Sequence, residues 1–158
     1  NYIGAYINDY AMTCTDGHRA LLVKGAPKGT REWTICKLPS SNADCGLLDE
    51  PDIMAAIKRL ESIQESKTSG NTTVHVRINW NHQTHALILS AENPDGYKGK
   101  ETFAYTGDWS GEIVLDPKYL LDTLGVWPLR MYATGPKNPV VFTDADNSFY
   151  YVLMPMAL

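Results

Sequence analysis

The chain is 158 residues long, 44% hydrophobic and 20% charged, which suits one domain, or one domain plus a fragment, with a core that needs no disulfides. Its formal net charge of −4 argues against a tight DNA binder that works by charge alone, because such proteins are basic; a loose encircling mode through a local basic face stays open. No apolar run approaches the ~20 residues of a membrane span, and no signal peptide is visible.

In chain order, Tyr2 to Ile7 reads as a strand, Asn8-Asp9-Tyr10 as a turn, and Ala11 to Thr15 as a second strand stopped by Asp16-Gly17. The chain starts on Asn and not Met, which fits a trimmed, processed or incomplete chain alike. Arg19 to Val23 is a third strand. Lys24 to Arg31, with Gly25, Pro27 and Gly29, is a loop. Trp33 to Leu38 reads as a short strand and Pro39 to Cys45 as a turn-rich stretch. Cys14, Cys36 and Cys45 make an odd set without a CxxC pair, which favours a reducing compartment with buried or idle thiols.

Asp49-Glu50-Pro51-Asp52 has the cap, acids and early Pro of a helix start. Ile53, Met54, Ile57, Leu60 and Ile63 then recur at helical spacing, so the helix should run to about Lys67. Thr73 to Trp80 alternates, with Val74, Val76 and Ile78 on one side and His75, Arg77 and Asn79 on the other, as a half-buried strand does. Asn81-His82-Gln83 turns the chain and His85 to Ser90 is the next strand. Asn93-Pro94-Asp95-Gly96 is a loop, and Glu101 to Tyr105 a further strand. Glu112 to Leu115 is a strand, Asp116-Pro117 opens a short helix, and Gly125 closes it. Leu129 to Thr134, Val140 to Thr143 and Phe149 to Met154 are the last three strands.

A unit of strand, helix and three strands thus occurs twice, at about 32–106 and 112–158, and 1–23 supplies the last three strands of a third. Repeats change a fold assignment. Here they predict an α+β layered architecture, with both helices burying their apolar stripes on one face of a shared antiparallel sheet. Residues 1–48 read as a partial unit plus connector, and 49–158 as a domain of two units with a boundary near 111.

Two strings carry a resemblance. Near the start stands Thr15-Asp16-Gly17-His18-Arg19, and the chain ends in Val152-Leu153-Met154-Pro155-Met156-Ala157-Leu158. Chain ends normally fray into water, so an end this apolar should be docked. With Ala91-Glu92-Asn93-Pro94, Tyr105-Thr106-Gly107 and Tyr119 to Leu124 between them, these strings resemble the bacterial sliding clamp, the beta subunit of DNA polymerase III. The likeness covers the family's C-terminal domain and part of its middle domain. The chain departs from the family at Ala157, where an Arg is usual.

The resemblance implies a sliding-clamp fold with helices toward the DNA and sheets outside. It implies a non-enzymatic processivity or scaffold protein of DNA replication or repair. Its site would be a peptide-binding cleft lined by Thr15, Gly17, His18, Val152, Met154, Pro155 and Met156, with Arg19 nearby and Tyr2 a weaker candidate. Partners would be DNA polymerase and other proteins with clamp-binding motifs, and double-stranded DNA if a ring forms. The family's closed rings need more domains than this chain holds, so a ring requires a homo-oligomer or a longer chain. The implied setting is the cytoplasm, at the nucleoid, without a membrane. The alternative is a stand-alone clamp-like module, of phage or mobile-element type, that does not encircle DNA.

The residues support a cleft on their own chemistry. Methionine is flexible and polarizable and suits grooves for varied apolar ligands. Pro155 lacks an N–H and ends strand pairing. Gly17 permits close backbone approach, while His18 and Arg19 offer donors. Lys58 and Arg59 on the first helix, with Lys67, and Lys118 on the second are candidates to face DNA; Glu61 and Glu65 on the first helix equally suit a solvated mixed face. His82 and His85 would point to opposite strand faces without a third ligand, and Asp144-Ala145-Asp146-Asn147 lacks the Gly and Glu of a calcium loop. No metal and no cofactor are therefore expected. Asn71-Thr72-Thr73 is a formal glycosylation sequon with nothing else to suggest secretion. An unrelated small α+β enzyme is a third reading, but no catalytic grouping stands out.

Overall fold

The structure, a computed structural model, describes residues 5–27, 29, 31–32, 51–64, 75–124, 130–133 and 135–156. Four strands come first, β1 (Ala5–Ile7), β2 (Tyr10–Thr15), β3 (Arg19–Lys24) and β4 (Arg31–Glu32), then helix α1 (Pro51–Gln64). Strands β5 (Val76–Asn81), β6 (Ala86–Glu92), β7 (Lys98–Ala104) and β8 (Gly111–Leu115) follow. Helix α2 (Pro117–Leu124) leads to β9 (Arg130–Tyr132), β10 (Val140–Thr143) and β11 (Phe149–Leu153). The expected strand at Trp33 to Leu38, the turn region to Cys45, the helix end beyond Gln64, the sequon, Tyr2, Lys67 and Gly125 lie outside the described residues.

Helix α1 forms where the apolar spacing demands it. Ile53, Ala56, Ile57 and Leu60 are all buried, while Lys58, Arg59 and Ser62 on the other face are exposed. Met54 and Ile63 flank the stripe, packed against the core at its margin. Beneath the helix, pairing fixes one row of side chains: Leu89 on β6 sits opposite Ile78 on β5, which sits opposite Ile113 on β8. All three are buried, as the period of two requires once one face meets a helix.

The strands make two sheets rather than the shared one expected. One has the order β7-β6-β5-β8, the other β4-β1-β2-β3-β11-β10-β9. The reason is a strand exchange: β8 opens the second unit in sequence but completes the first unit's sheet. Helix α1 packs on β5, β6 and β7 and against α2, and α2 packs on β11. The helix pair therefore serves both sheets, and the larger buried cluster among the described residues runs from Leu22 through Ile57 and Trp80 to Leu120 and Phe142, with Ala5, Met12 and Ala20 forming a smaller one.

The pairing is antiparallel except between β1 and β4, which run parallel. Strand β3 pairs along the whole of β11, from Val23 opposite Phe149 to Arg19 opposite Leu153. That contact ties the N-terminal strands to the end of the chain.

Several boundaries move. Strand β7 begins at Lys98, not Glu101, because the register with β6 runs from Glu92↔Lys98 to Ala86↔Ala104. Asn81 extends β5 by pairing with Ala86, and His85, with φ of 50°, belongs to the turn and not to β6. Lys24 and Arg31 are strand residues rather than loop residues. Met154 lies beyond β11. Cys14 is exposed and free.

Candidate functional site: the loop 15–19 and the C-terminal tail

The loop from β2 to β3 is closed by its own side chains. The Thr15 hydroxyl donates to the Arg19 carbonyl at 2.5 Å and accepts from the Gly17 N–H at 3.1 Å. Asp16 Oδ1 accepts from the N–H groups of His18 and Arg19 at 3.0 and 3.1 Å. This is the side-chain mimicry of a backbone turn that Asp favours. Gly17 takes the left-handed φ of 91° that the reversal needs.

The tail docks onto that loop. With Leu153 opposite Arg19, the chain continues so that the Met154 N–H donates to the His18 carbonyl at 2.8 Å. Pro155 has no N–H to give. The Met156 N–H then donates to the Val114 carbonyl on β8 at 2.8 Å. Two hydrogen bonds two residues apart thus join the tail to both sheets. An end with such anchors need not fray.

The expected site residues are not equivalent in this arrangement. Thr15, Gly17 and His18 are exposed and Arg19 is half-buried. Met154 is one of two large apolar side chains exposed among the described residues, at 37%. Pro155 and Met156 are half-buried. Val152 is 1% exposed and belongs to the core beneath the site, not to its open surface, because its place in β11 turns it inward.

Arg19 is the hub. Its Nε meets Asp16 at 2.9 Å; its Nη1 meets Asp122 at 2.5 Å and the Tyr151 hydroxyl at 3.2 Å. Its guanidinium carbon lies 4.5 Å from the centre of the Tyr119 ring, within cation–π range. The His18 ring stacks on the same tyrosine at 5.9 Å and 18°. The Asp122 carboxylate first, then the Tyr151 hydroxyl, holds the guanidinium's pKa above its usual value against the opposing effect of burial. Burial pushes the Asp16 carboxyl up, but hydrogen bonds from the His18 N–H and from Arg19 outweigh it and leave the group below the usual carboxylate value.

Tyr119, Asp122 and Tyr151 are the residues that sequence reasoning missed. Tyr119 and Asp122 stand three apart on α2, so they share a face. That spacing was visible in the sequence, but the distance to Arg19, 103 residues away, was not.

The candidate DNA-facing residues divide. Lys58 and Lys118 are exposed. Arg59 is held by Glu101 of β7, Nε to Oε1 at 2.7 Å. Lys118 sits in the first turn of α2, where its N–H donates to Asp116 Oδ1 at 2.9 Å. Among the described residues, no three His, Cys, Asp or Glu side chains are grouped to hold a metal ion, and no helix is long and apolar enough to cross a membrane. The Asp144 to Ser148 segment is a hairpin turn, closed by the Ser148 N–H donating to Asp144 Oδ1 at 2.7 Å.

Among solved structures, the chain is similar to the DNA polymerase III subunit beta of Pseudomonas aeruginosa, with a TM-score of 0.67 and 19% identity over 94% of this chain and 55% of that one. It is similar to the beta sliding clamp of Caulobacter crescentus, with a TM-score of 0.65 and 20% identity over 94% of this chain and 41% of that one. The DnaN sliding clamp of Bartonella birtlesii bound to griselimycin gives 0.61 and 19% over 94% and 41%. No protein-family model and no curated protein matches the sequence. The chain therefore has the sliding-clamp fold, as the resemblance implied, and it spans about half the length of these clamps, 41% to 55%.

Proposed function

We propose that this chain acts as a sliding-clamp-like processivity or scaffold protein of DNA replication or repair. It holds short apolar peptide motifs of polymerases and related proteins between the Thr15–Arg19 loop and the tail at Met154, Pro155 and Met156. No bond is made or broken; the role is binding. The observation that carries the reading is the 2.8 Å hydrogen bond from Met154 to His18. It puts an exposed, adaptable apolar side chain beside a rim of donors, the composition of a small-ligand site. Tethering a polymerase raises its effective concentration at the template without new chemistry. Such a protein works in the cytoplasm, at the nucleoid, and reaches a closed ring as a homo-oligomer or within a longer chain.

The test is calorimetry with a capped synthetic peptide that carries adjacent Leu residues in a Gln/Ser background. Met154→Ala with Met156→Ala should weaken binding by about 2 kcal/mol or more, as loss of a central anchor does. The fold should persist, because both main-chain hydrogen bonds of the tail survive truncation to Ala. Equal affinity for variant and parent would remove the tail from the site.

A second reading, the stand-alone module that does not encircle DNA, is favoured by the Arg59–Glu101 pair and the net charge of −4. A cation already paired offers less to phosphates. Salt-resistant retention on circular but not linear DNA supports the ring. Failure to bind either form at low salt supports the module, since phosphate contacts are strongest there.

A further inference from the structure

We propose that Asp122 is the positioning residue of this site. By gripping Arg19, it fixes the loop that carries His18 against α2, and so fixes the loop beside the tail. The proposal rests on the peptide-cleft reading for its consequence, but its structural core stands apart from it.

Among the described residues, Arg19 has three oxygen partners with different reach. Asp16 is three residues away in the same loop, so that pair shapes the loop without placing it. Tyr151 lies on β11, the strand that already pairs with β3. Asp122 alone brings a charge from α2. Helix α2 is a firm support: Leu120 is fully buried and Thr123 is 3% exposed, its hydroxyl donating to the Tyr119 carbonyl at 2.9 Å. Tyr119 adds an aromatic face under both Arg19 and His18. The guanidinium is thus held from one side by a planar ring and at its edge by a carboxylate. This is the fork-and-face geometry that Arg, and not Lys, can fill.

Among the described residues, the loop and the tail are joined by the hydrogen bond from the Met154 N–H to the His18 carbonyl. Whatever holds His18 therefore holds the near end of the tail. Sites are accurate when their contact residues are locked by neighbours on rigid elements, and Asp122 supplies that lock without being one of the residues assigned to the cleft. With half of its side chain exposed, at 52%, it has little packing role of its own.

The experiment compares the full chain with Asp122→Ala and Asp122→Glu. The first readout is amide hydrogen exchange at Met154, with Ile78 in the core as reference. Asp122→Ala should speed Met154 exchange between about twofold and tenfold, the range for a charge-assisted contact that is partly exposed. Ile78 should be unchanged, and Asp122→Glu should restore most of the protection. Unchanged exchange at Met154, or an equal rise at Ile78, overturns the proposal.

The second readout is affinity for the capped Leu-containing peptide. Asp122→Ala should weaken it by a similar factor, and the gap from the parent should close at about 1 M salt, where the Debye length is about 3 Å. Faster exchange with undiminished affinity would overturn the link to the site. If the parent binds no peptide, the cleft reading fails while the exchange readout still decides what holds the loop.

Discussion

The loop from β2 to β3 and the loop from β6 to β7 reverse the chain with the same parts. Asp16 opens the first and Asn93 the second. Asp16 Oδ1 accepts from His18 and Arg19; Asn93 Oδ1 accepts from the Tyr97 N–H at 2.9 Å. Each loop has a glycine with left-handed φ, Gly17 at 91° and Gly96 at 85°. Beyond that they diverge. Asn93 turns inward, 8% exposed, and its amide donates to the Ile63 carbonyl on α1 at 3.2 Å. Tyr97 is left 70% exposed. The first loop turns outward to α2 and to the tail through Arg19 and His18. Local turn chemistry decides that a chain reverses; only distant partners decide whether the reversal becomes one wall of a site.

The largest expected effect lies in the loop outside the proposed site. Asn93→Ala removes the acceptor for Tyr97 and the donor to Ile63 from a buried position. Its cost should be about 2 kcal/mol, within the range for buried hydrogen-bonding groups left unpaired. Urea unfolding measures it. Asn93→Asp keeps the acceptor for Tyr97 but buries a carboxylate oxygen against the Ile63 carbonyl, so at least as large a cost is expected at neutral pH. A loss below about 0.5 kcal/mol for the Ala variant would mean that the second loop is held by something other than Asn93.

The same contrast explains what was legible in the sequence. Helix α1, the alternation of Val76, Ile78 and Trp80, and the hairpin at Asp144 to Ser148 depend on neighbours within a few positions, and their residue types announce them. Strand β10 was read at its observed bounds because Val140 to Thr143 is a short apolar run between turn signals. Register is different. Nothing near Lys98 signals that β7 starts there, since its pairing is set by β6 and by the Asn93 turn. The exchange of β8 into the first unit's sheet is likewise a tertiary event. At the candidate site, a family likeness joins Thr15 to Arg19 with Met154 to Met156, and their chemistry supports that pairing without fixing it. Tyr119 and Asp122 went unnoticed because a helix face shows its spacing but not what it will meet. Val152 was assigned to the cleft, although strand alternation beside Tyr151 and Leu153 leaves its direction open until β3 is paired.

Glycine substitutions sharpen the comparison at a smaller scale. A methyl group at Gly17 or at Gly96 would meet nothing within 4 Å, so the cost in both cases is that of a side chain at positive φ, about 1 kcal/mol. Gly17→Ala and Gly96→Ala should therefore lower the stability equally. Only Gly17→Ala should also weaken binding of the capped peptide, because only that loop belongs to the proposed cleft. Equal peptide affinity in the two variants would place the rim elsewhere.

The smallest effect separates the loops by charge. Asp16 and Asn93 do the same structural job, but Asp16 can take up a proton there. Burial pushes its pKa up, and the hydrogen bonds from His18 and Arg19 outweigh that and hold it below the ordinary value. As pH falls, the unfolded chain is protonated first. The stabilisation from Asp16 is complete above the unfolded value of about 3.9 and is lost as pH falls through the folded value. Asp16 is 41% exposed, so solvent screens the contribution to a few tenths of a kcal/mol. Glu101 and Asp144 are lowered in the same direction, and acid unfolding of the parent alone therefore mixes their effects. The difference between the parent and Asp16→Asn isolates this carboxylate. The variant should be slightly less stable at neutral pH, and the gap should narrow below about pH 4. A gap that stays constant from neutral pH to about pH 3 would show that the charge of the carboxylate does not cause the difference. The first loop would then be held, as the second is, by hydrogen-bond geometry alone.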